Sequence, residues 1–415
     1  MDISNRSRSQ SFFLILMIGA LNTIAPISID MYLPAFPNIA ADMHIGIDKV
    51  SLSVSTYFLG FALGQILYGP LLDRFGRKRP LYAGLILYII ATIACALSNS
   101  IEMLWLMRFV QALSGCVTSV AAMAMVLDFF PADKSAKIIS LLILILGVSP
   151  LLAPTIGSFI VSTWSWRFVF AVLAVVALIN LLFAFFFLPE GHKADITVSL
   201  MPKPIINSFL KILSTPQFYI YSLAGTFSFA GLFVYVAGSP SIFMGEFHVS
   251  PKVYGAIFAG LSVGFIGSSQ FNHVLTQRYT NEQIFKVVLI VQLITGIIFL
   301  TGTLNGWFGL TVIICFLFIL LACSGLTYPN AAALALMPFQ KNAGSASALL
   351  GFIQIGIGGI ISAGVGALHY KGSLVTALIM AVAASVAFII LLTGKFRLSK
   401  NKFEAAVENY NSISK

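Results

Sequence analysis

Residues 69–81 read GPLLDRFGRKRPL. Five charged residues, Asp73, Arg74, Arg77, Lys78 and Arg79, crowd into this turn, and none lies in the apolar runs on either side, 50–72 and 80–98. A run of about 20 apolar residues is what a helix needs to cross the hydrocarbon core of a bilayer. The stretch therefore reads as a polar turn that sends the chain back into a membrane. Working outward from it, ten more such runs appear, near 12–34, 102–127, 136–162, 166–188, 217–240, 252–275, 284–303, 307–330, 343–368 and 373–394. Each is continuous rather than alternating, which favours helix over barrel strand. The chain of 415 residues is 59% hydrophobic and 9% charged, against about 45–50% and 25% in soluble chains. The expected fold is an all-α integral membrane protein of twelve transmembrane helices.

With the N-terminus placed inside, nineteen of the 24 Lys and Arg fall in inner segments and four in outer ones, while Arg108 lies within a span. Basic loops mark the cytoplasmic side, so both termini are expected in the cytoplasm. This asymmetry accounts for the net charge of +10 without a nucleic-acid partner. The first apolar run holds Asp30 and a proline rather than a small-residue cleavage site, so it is expected to be kept as a span. The longest polar interval, 189–215, carries Pro189, Gly191, Pro202, Pro204 and three lysines. It divides the chain into an N-terminal six-helix half (1–188), a cytoplasmic linker (189–215), a C-terminal six-helix half (216–394) and a cytoplasmic tail (395–415).

The two halves repeat each other weakly. Phe58, Gly60 and Gly64 correspond to Phe258, Gly260 and Gly264, and Ser114, Gly115, Ala121 and Ala122 correspond to Ser324, Gly325, Ala331 and Ala332. Lys134 and Ala136 match Lys341 and Ala343, so the offsets are 200, 210 and 207 residues. A duplicated six-span unit is the pattern of an alternating-access carrier with its substrate near the midplane. Span 11 holds Gly351, Gly356, Gly358, Gly359, Gly364 and Gly366, and small residues at such spacing let helices approach closely.

Charges at membrane depth are costly and mark function by default. Asp30 lies about 27 Å along span 1, and Arg108 roughly 9 Å from the outer end of span 4. Their depths match, so they are expected to be partners if the two spans face each other, either as a helix-orienting salt bridge or as a proton switch. The substrate cavity is expected to be lined by aromatics and amides: Tyr32, Phe227, Phe229, Phe233, Tyr235, Gln111 and Gln354. Cys95, Cys116, Cys315 and Cys323 lie in apolar runs and read as packing residues. No metal-ligand spacing, convergent nucleophile or nucleotide site appears, so an enzyme is not expected, and no metal or cofactor is implied.

The opening turn, with Gly69, Asp73, Arg74, Gly76, Arg77 and Lys78, resembles the signature loop of the major facilitator superfamily. The resemblance implies twelve helices in two pseudo-symmetric halves and a cytoplasmic gate, in which Arg77 pairs with a carboxylate; Asp128, at the inner end of span 4, is well placed for that. RFVQALSG, from Arg108 to Gly115, resembles the superfamily's embedded arginine motif, linked to proton coupling. LGVSPLLAPTIGS, with Gly147, Pro150, Pro154 and Gly157, resembles its antiporter motif, with Ala153 and Ser158 where glycines are expected. SIDMYLPAFP (28–37), STYFLGFALGQ (55–65) and GSASALLG (344–351) resemble the bicyclomycin-resistance (Bcr/CflA) group. The resemblance implies a monomeric drug/proton antiporter of the bacterial inner membrane, driven by the proton gradient without a cofactor. Its partners would be a small-molecule substrate, protons and the lipid bilayer. Two alternatives remain: a transporter of one metabolite or siderophore, and a membrane receptor or scaffold that does not transport.

Overall fold

The computed structural model describes residues 8–130, 149–150, 152–189, 202–339, 343–368 and 372–413. Among them there is no strand. The helices are α1 (Arg8–Asp30), α2 (Phe36–Asp42), α3 (Ile47–Phe75), α4 (Lys78–Ala96), α5 (Ile101–Phe129), α6 (Leu152–Thr163), α7 (Arg167–Phe187), α8 (Pro202–Leu213), α9 (Pro216–Pro240), α10 (Pro251–Leu275), α11 (Asn281–Leu304), α12 (Leu310–Leu336), α13 (Ala343–Ala367) and α14 (Gly372–Ile413). Eleven are long and apolar enough to cross a membrane, counting α1 with α2 as one span and α9 with the π turn Ser241–Glu246 as another. The expected twelfth, span 5, is represented by the shorter apolar α6; residues 136–148 and 151 of that span lie outside the described residues. In hydrocarbon a helix satisfies its own backbone groups, which is why these runs are helical.

Two local breaks matter for function. Span 1 does not stop at residue 34 but runs to Asp42, interrupted after Asp30 by a turn and a single 3₁₀ turn, Leu33–Ala35. Pro34 and Pro37 sit in the first turn of the 3₁₀ segment and of α2. Proline has no N–H to donate and is favoured at such first-turn positions, so both sites suit a restarting helix, although Pro26, Pro70 and Pro329 lie inside helices. The second break is at Gly76, whose φ of 78° ends α3 in a backbone state that suits glycine.

The chain folds into two compact units that cut across the sequence halves. The first contains residues 1–201 together with 233–263 and 359–376. Its core joins Leu14, Ile18 and Leu21 of α1 to Leu81, Leu85 and Tyr88 of α4, Val117, Ala121 and Met125 of α5, and Ala177 and Ala184 of α7. Glycine sets the helix spacing. A Cβ at Gly60 would meet the Phe109 carbonyl, and one at Gly64 would lie 2.5 Å from the Cβ of Cys116.

The same close approach draws the later helices into this unit. A Cβ on Gly359 of α13 would sit 2.9 Å from the Phe58 Cβ, and one on Gly366 2.5 Å from the Asp48 carbonyl oxygen. Ser55 and Ser362 share a hydrogen bond of 2.9 Å, and Ser158 Oγ of α6 donates to the Pro251 carbonyl at the start of α10 over 2.6 Å. Glu246 accepts from the backbone N–H and the hydroxyl of Ser373, each at 2.9 Å, and so caps α14. The glycines expected to let span 11 pack tightly do so at Gly359 and Gly366.

The second unit contains residues 202–232, 264–358 and 377–415. Phe218, Tyr221, Phe285, Leu289, Ala331, Ala335, Leu350, Ala387 and Leu391 form its core, joined by Ile212 of α8. Here Gly264 of α10 meets the Phe318 ring of α12, and Gly325 of α12 meets the Phe265 carbonyl of α10. The α10–α12 contact thus repeats the α3–α5 contact of the first unit. The α14 backbone continues as helix through residues expected to be the tail.

Gly60→Leu should therefore lower the thermal unfolding midpoint of the detergent-purified protein, because overpacking typically costs about 1–3 kcal/mol. Gly260→Ala, where nothing lies within 4 Å of the new Cβ, should leave it unchanged or slightly higher. The opposite ranking would mean that the α3–α5 spacing does not depend on Gly60.

Candidate functional site

Arg108 lies on α5 and is fully buried. Its Nη1 donates to the Gln111 Oε1 at 2.6 Å and to the Ser28 carbonyl at 3.1 Å. Its guanidinium carbon stands 4.3 Å from the ring centre of Tyr57 and 4.6 Å from that of Tyr32, a sandwich in which each face contributes about 2 kcal/mol when desolvated. Nε and Nη2 are buried without a hydrogen-bond partner. The Ser28 carbonyl is available because of the break in α1: the Tyr32 N–H, its regular helical donor, bonds to Ile29 instead. Around this centre Gln111 Nε2 donates to Thr92 at 2.8 Å, Tyr32 hydrogen-bonds Ser53 at 2.9 Å, and Ser28 bonds Tyr88 at 2.5 Å.

The expected pairing of Asp30 with Arg108 is not observed. Among the described residues the ion pairs are Arg77–Asp73, Arg77–Asp128 and Arg167–Asp42. The reason is helical azimuth. Ser28 and Tyr32 are four residues apart and both reach Arg108; Asp30 stands between them, turned by about 200°. It faces the other way, within electrostatic reach of Tyr235 and Tyr254. Asp30 is 5% exposed, and its Oδ2 is buried without a hydrogen-bond partner.

The expected cavity residues separate. Tyr32 and Gln111 are fully buried in the arginine cluster with their polar groups engaged, so they position Arg108 rather than line an open cavity. Tyr235 stacks on Phe258 at 5.3 Å, and its hydroxyl has no hydrogen-bond partner. Phe233 meets Phe58 edge-on at 4.6 Å. Phe229 and Gln354 belong to the second unit. There Phe229 packs 4.5 Å from Tyr328, and Gln354 keeps a buried, unpartnered Nε2.

The polar turn forms a clamp. Arg77 Nε donates to Asp128 Oδ2 at 2.7 Å, Nη2 to Asp128 Oδ1 at 3.3 Å, and Nη1 to Asp73 Oδ1 at 2.7 Å. Burial works to lower the Arg77 pKa, but the hydrogen bonds to Asp128 and Asp73 outweigh it and hold the group above its ordinary value. Gly76 supplies the turn, Arg74 lies 5.9 Å from the Phe75 ring, and Lys78 opens α4. Gly69 has open space around it, so packing does not require glycine there. Of the span 5 motif, Gly147 lies outside the described residues. A Cβ at Gly157 would strike the Met31 carbonyl at the break in α1, and the Pro154 carbonyl lies 3.5 Å from a Cβ built on Gly255. Pro150 is helical.

Residues 18–363 match the Major Facilitator Superfamily. The chain belongs to this superfamily. It is 30% identical over 386 residues to a bicyclomycin resistance protein homolog of Haemophilus influenzae, covering 92% of this chain and 94% of that one. It is 29% identical over 341 residues to the multidrug resistance protein MdtL of Shigella flexneri, with 81% and 84% covered. Among solved structures, a D-xylose–proton symporter matches with a TM-score of 0.69 at 14% identity, over 92% of this chain and 98% of that one; that likeness is one of fold. The chain is thus a multi-pass membrane transporter of this superfamily, with drug-resistance proteins among its relatives.

Several residues escaped the reading of the sequence. Ser28, Tyr57, Tyr88 and Thr92 complete the arginine cluster. In the second unit Ser228 Oγ donates to Gln292 Oε1 at 2.6 Å and bonds Thr327 at 2.7 Å, while Gln292 Nε2 donates to the Ser228 carbonyl at 3.0 Å. Ser228 and Gln292 stand 200 residues after Ser28 and Thr92, so each half of this superfamily member carries a polar knot at matched positions. That offset was a usable signal. The second knot lacks a charge, and its Gln292 fills the place where the first has Thr92.

Asp128 is more buried than Asp73, with side chains 14% and 51% exposed, and takes two of the three clamp bonds. Asp128→Asn should cost on the order of 3 kcal/mol and Asp73→Asn about 0–1 kcal/mol, read as unfolding midpoints in detergent. Equal losses would remove Asp128 from its place as the principal partner.

Proposed function

We propose that this transporter is a proton-coupled antiporter that exports drug-like or small-metabolite solutes by alternating access. It would act as a monomer in a bacterial inner membrane, with both termini cytoplasmic and no cofactor. The observation that carries the proposal is the separation of Asp30 from Arg108: a buried carboxylate and a buried guanidinium, each with unmatched polar atoms and neither serving the other. A bare charge at such a place is expensive, so Asp30 needs a companion. A proton and a cationic group, whether on the substrate or on Arg108, compete for that role, and exchange between them couples the two fluxes.

The packing around Gly359, Gly366 and Ser158 supports a closed extracytoplasmic side, with α13 against α3 and α10 against α6. The Arg77 clamp would gate the cytoplasmic side. The names of the bicyclomycin-resistance and multidrug-resistance relatives support export of toxic solutes.

Everted vesicles carrying the chain should accumulate a toxic solute only when a pH gradient is imposed, with the substrate drawn from a panel of toxic compounds tested on cells with and without the chain. Asp30→Asn should abolish this uptake while the protein stays folded in the membrane. Wild-type uptake by that variant would sink the proton role of Asp30. Asp73→Asn and Arg77→Ala should slow turnover more than they weaken substrate binding; a loss confined to affinity would contradict gating.

A further inference from the structure

We propose that α8 is a lipid-binding helix that lies in the bilayer surface and docks on anionic phospholipid headgroups. The helix, Pro202–Leu213, ends just before α9 begins at Pro216, and backbone bonds from Ser214 to Leu210 and from Phe218 to Thr215 tie the corner together. It therefore sits where the chain passes into the hydrocarbon layer.

Its side chains sort into three stripes. Ile212 is buried in the core of the second unit, with Phe209 and Leu213 packed beside it. Ile206 and Leu210, one helical turn apart, are 51% and 57% exposed. Asn207 and Lys211, again one turn apart, are exposed on the polar side. A soluble helix would gain nothing from an exposed pair such as Ile206 and Leu210. A helix lying in a membrane interface needs this order: one stripe against the protein, an apolar stripe into the acyl chains, and a polar stripe whose lysine reaches up to the phosphates.

Charge identifies the lipid. Among the described side chains of the second unit, Lys211, Arg278 and Lys286 face a single acid, Glu282, in the count of Lys, Arg, Asp and Glu. Arg278 and Lys286 lie at or beside the α10–α11 turn, which the antiparallel course of α9 and α10 brings to the same end as α8. A basic rim of this kind attracts anionic headgroups.

The test uses full-length protein with Cys315→Ser, which removes the exposed cysteine and leaves the three buried ones. Single cysteines at Ile206, Asn207 and Leu210 carry a nitroxide, and the protein is reconstituted in phosphatidylcholine with or without phosphatidylglycerol. The proposal expects labels at 206 and 210 to collide several-fold more with oxygen than with a water-soluble nickel chelate, and the label at 207 to show the reverse. Phosphatidylglycerol should deepen the first two, and Lys211→Gln should reduce that deepening. Chelate access at 206 and 210 equal to that at 207 would overturn the proposal. So would shielding of 206 and 210 from both reagents, which would mean a protein partner. Insertion that ignores phosphatidylglycerol would overturn the anionic-lipid claim.

Discussion

A buried guanidinium without a carboxylate is the interaction on which this arrangement turns. Arg108 is held by one carbonyl, one amide and two tyrosine faces. That shell fixes α1, α3, α4 and α5 against one another, because each contributes a group: Ser28 and Tyr32, Tyr57, Thr92 through Gln111, and Arg108 itself. Aromatic faces solvate the charge without neutralising it, so the cation persists at depth and its remaining donors are unspent. Asp30, on the opposite side of α1, remains in a different environment from the cation two residues away in register.

Lipid imposes the second constraint. Helices in hydrocarbon gain little from apolar contact, because the acyl chains offer the same. Close backbone approach at small residues takes over, and here it is glycine on α3, α10, α12 and α13 that brings neighbours together. This is why the compact units ignore the sequence halves: α13 meets α3 through Gly359 and Gly366 as intimately as α5 does through Gly60 and Gly64.

How much of this was legible before the structure follows from what each feature depends on. Spans depend on local hydropathy, so eleven of the membrane crossings could be read directly, although span 1 continues past Pro34 into α2 and span 5 lies partly outside the described residues. The clamp depends on an i,i+4 spacing and a carboxylate at a helix end, and Asp73, Arg77 and Asp128 fell together as read. The relation of Asp30 to Arg108 depends on azimuth as well as depth; depth was read and azimuth was not, although the positions of Ser28 and Tyr32 on one face contained it. The tyrosines around Arg108 could not be chosen from the thirteen in the chain, since ring contacts arise from tertiary packing. The helix α8 was hidden in the interval 189–215, whose prolines and lysines obscured the apolar period of Ile206, Phe209, Leu210 and Leu213.

The interrupted α1 has a consequence of its own. Because Tyr32 gives its N–H to Ile29, the Ser28 oxygen depends on Arg108 for a donor. Withdrawing the guanidinium would strand that oxygen at a cost of about 1–3 kcal/mol, unless Tyr32 rewound onto it. The winding of α1 and the position of Arg108 are therefore one coordinate rather than two.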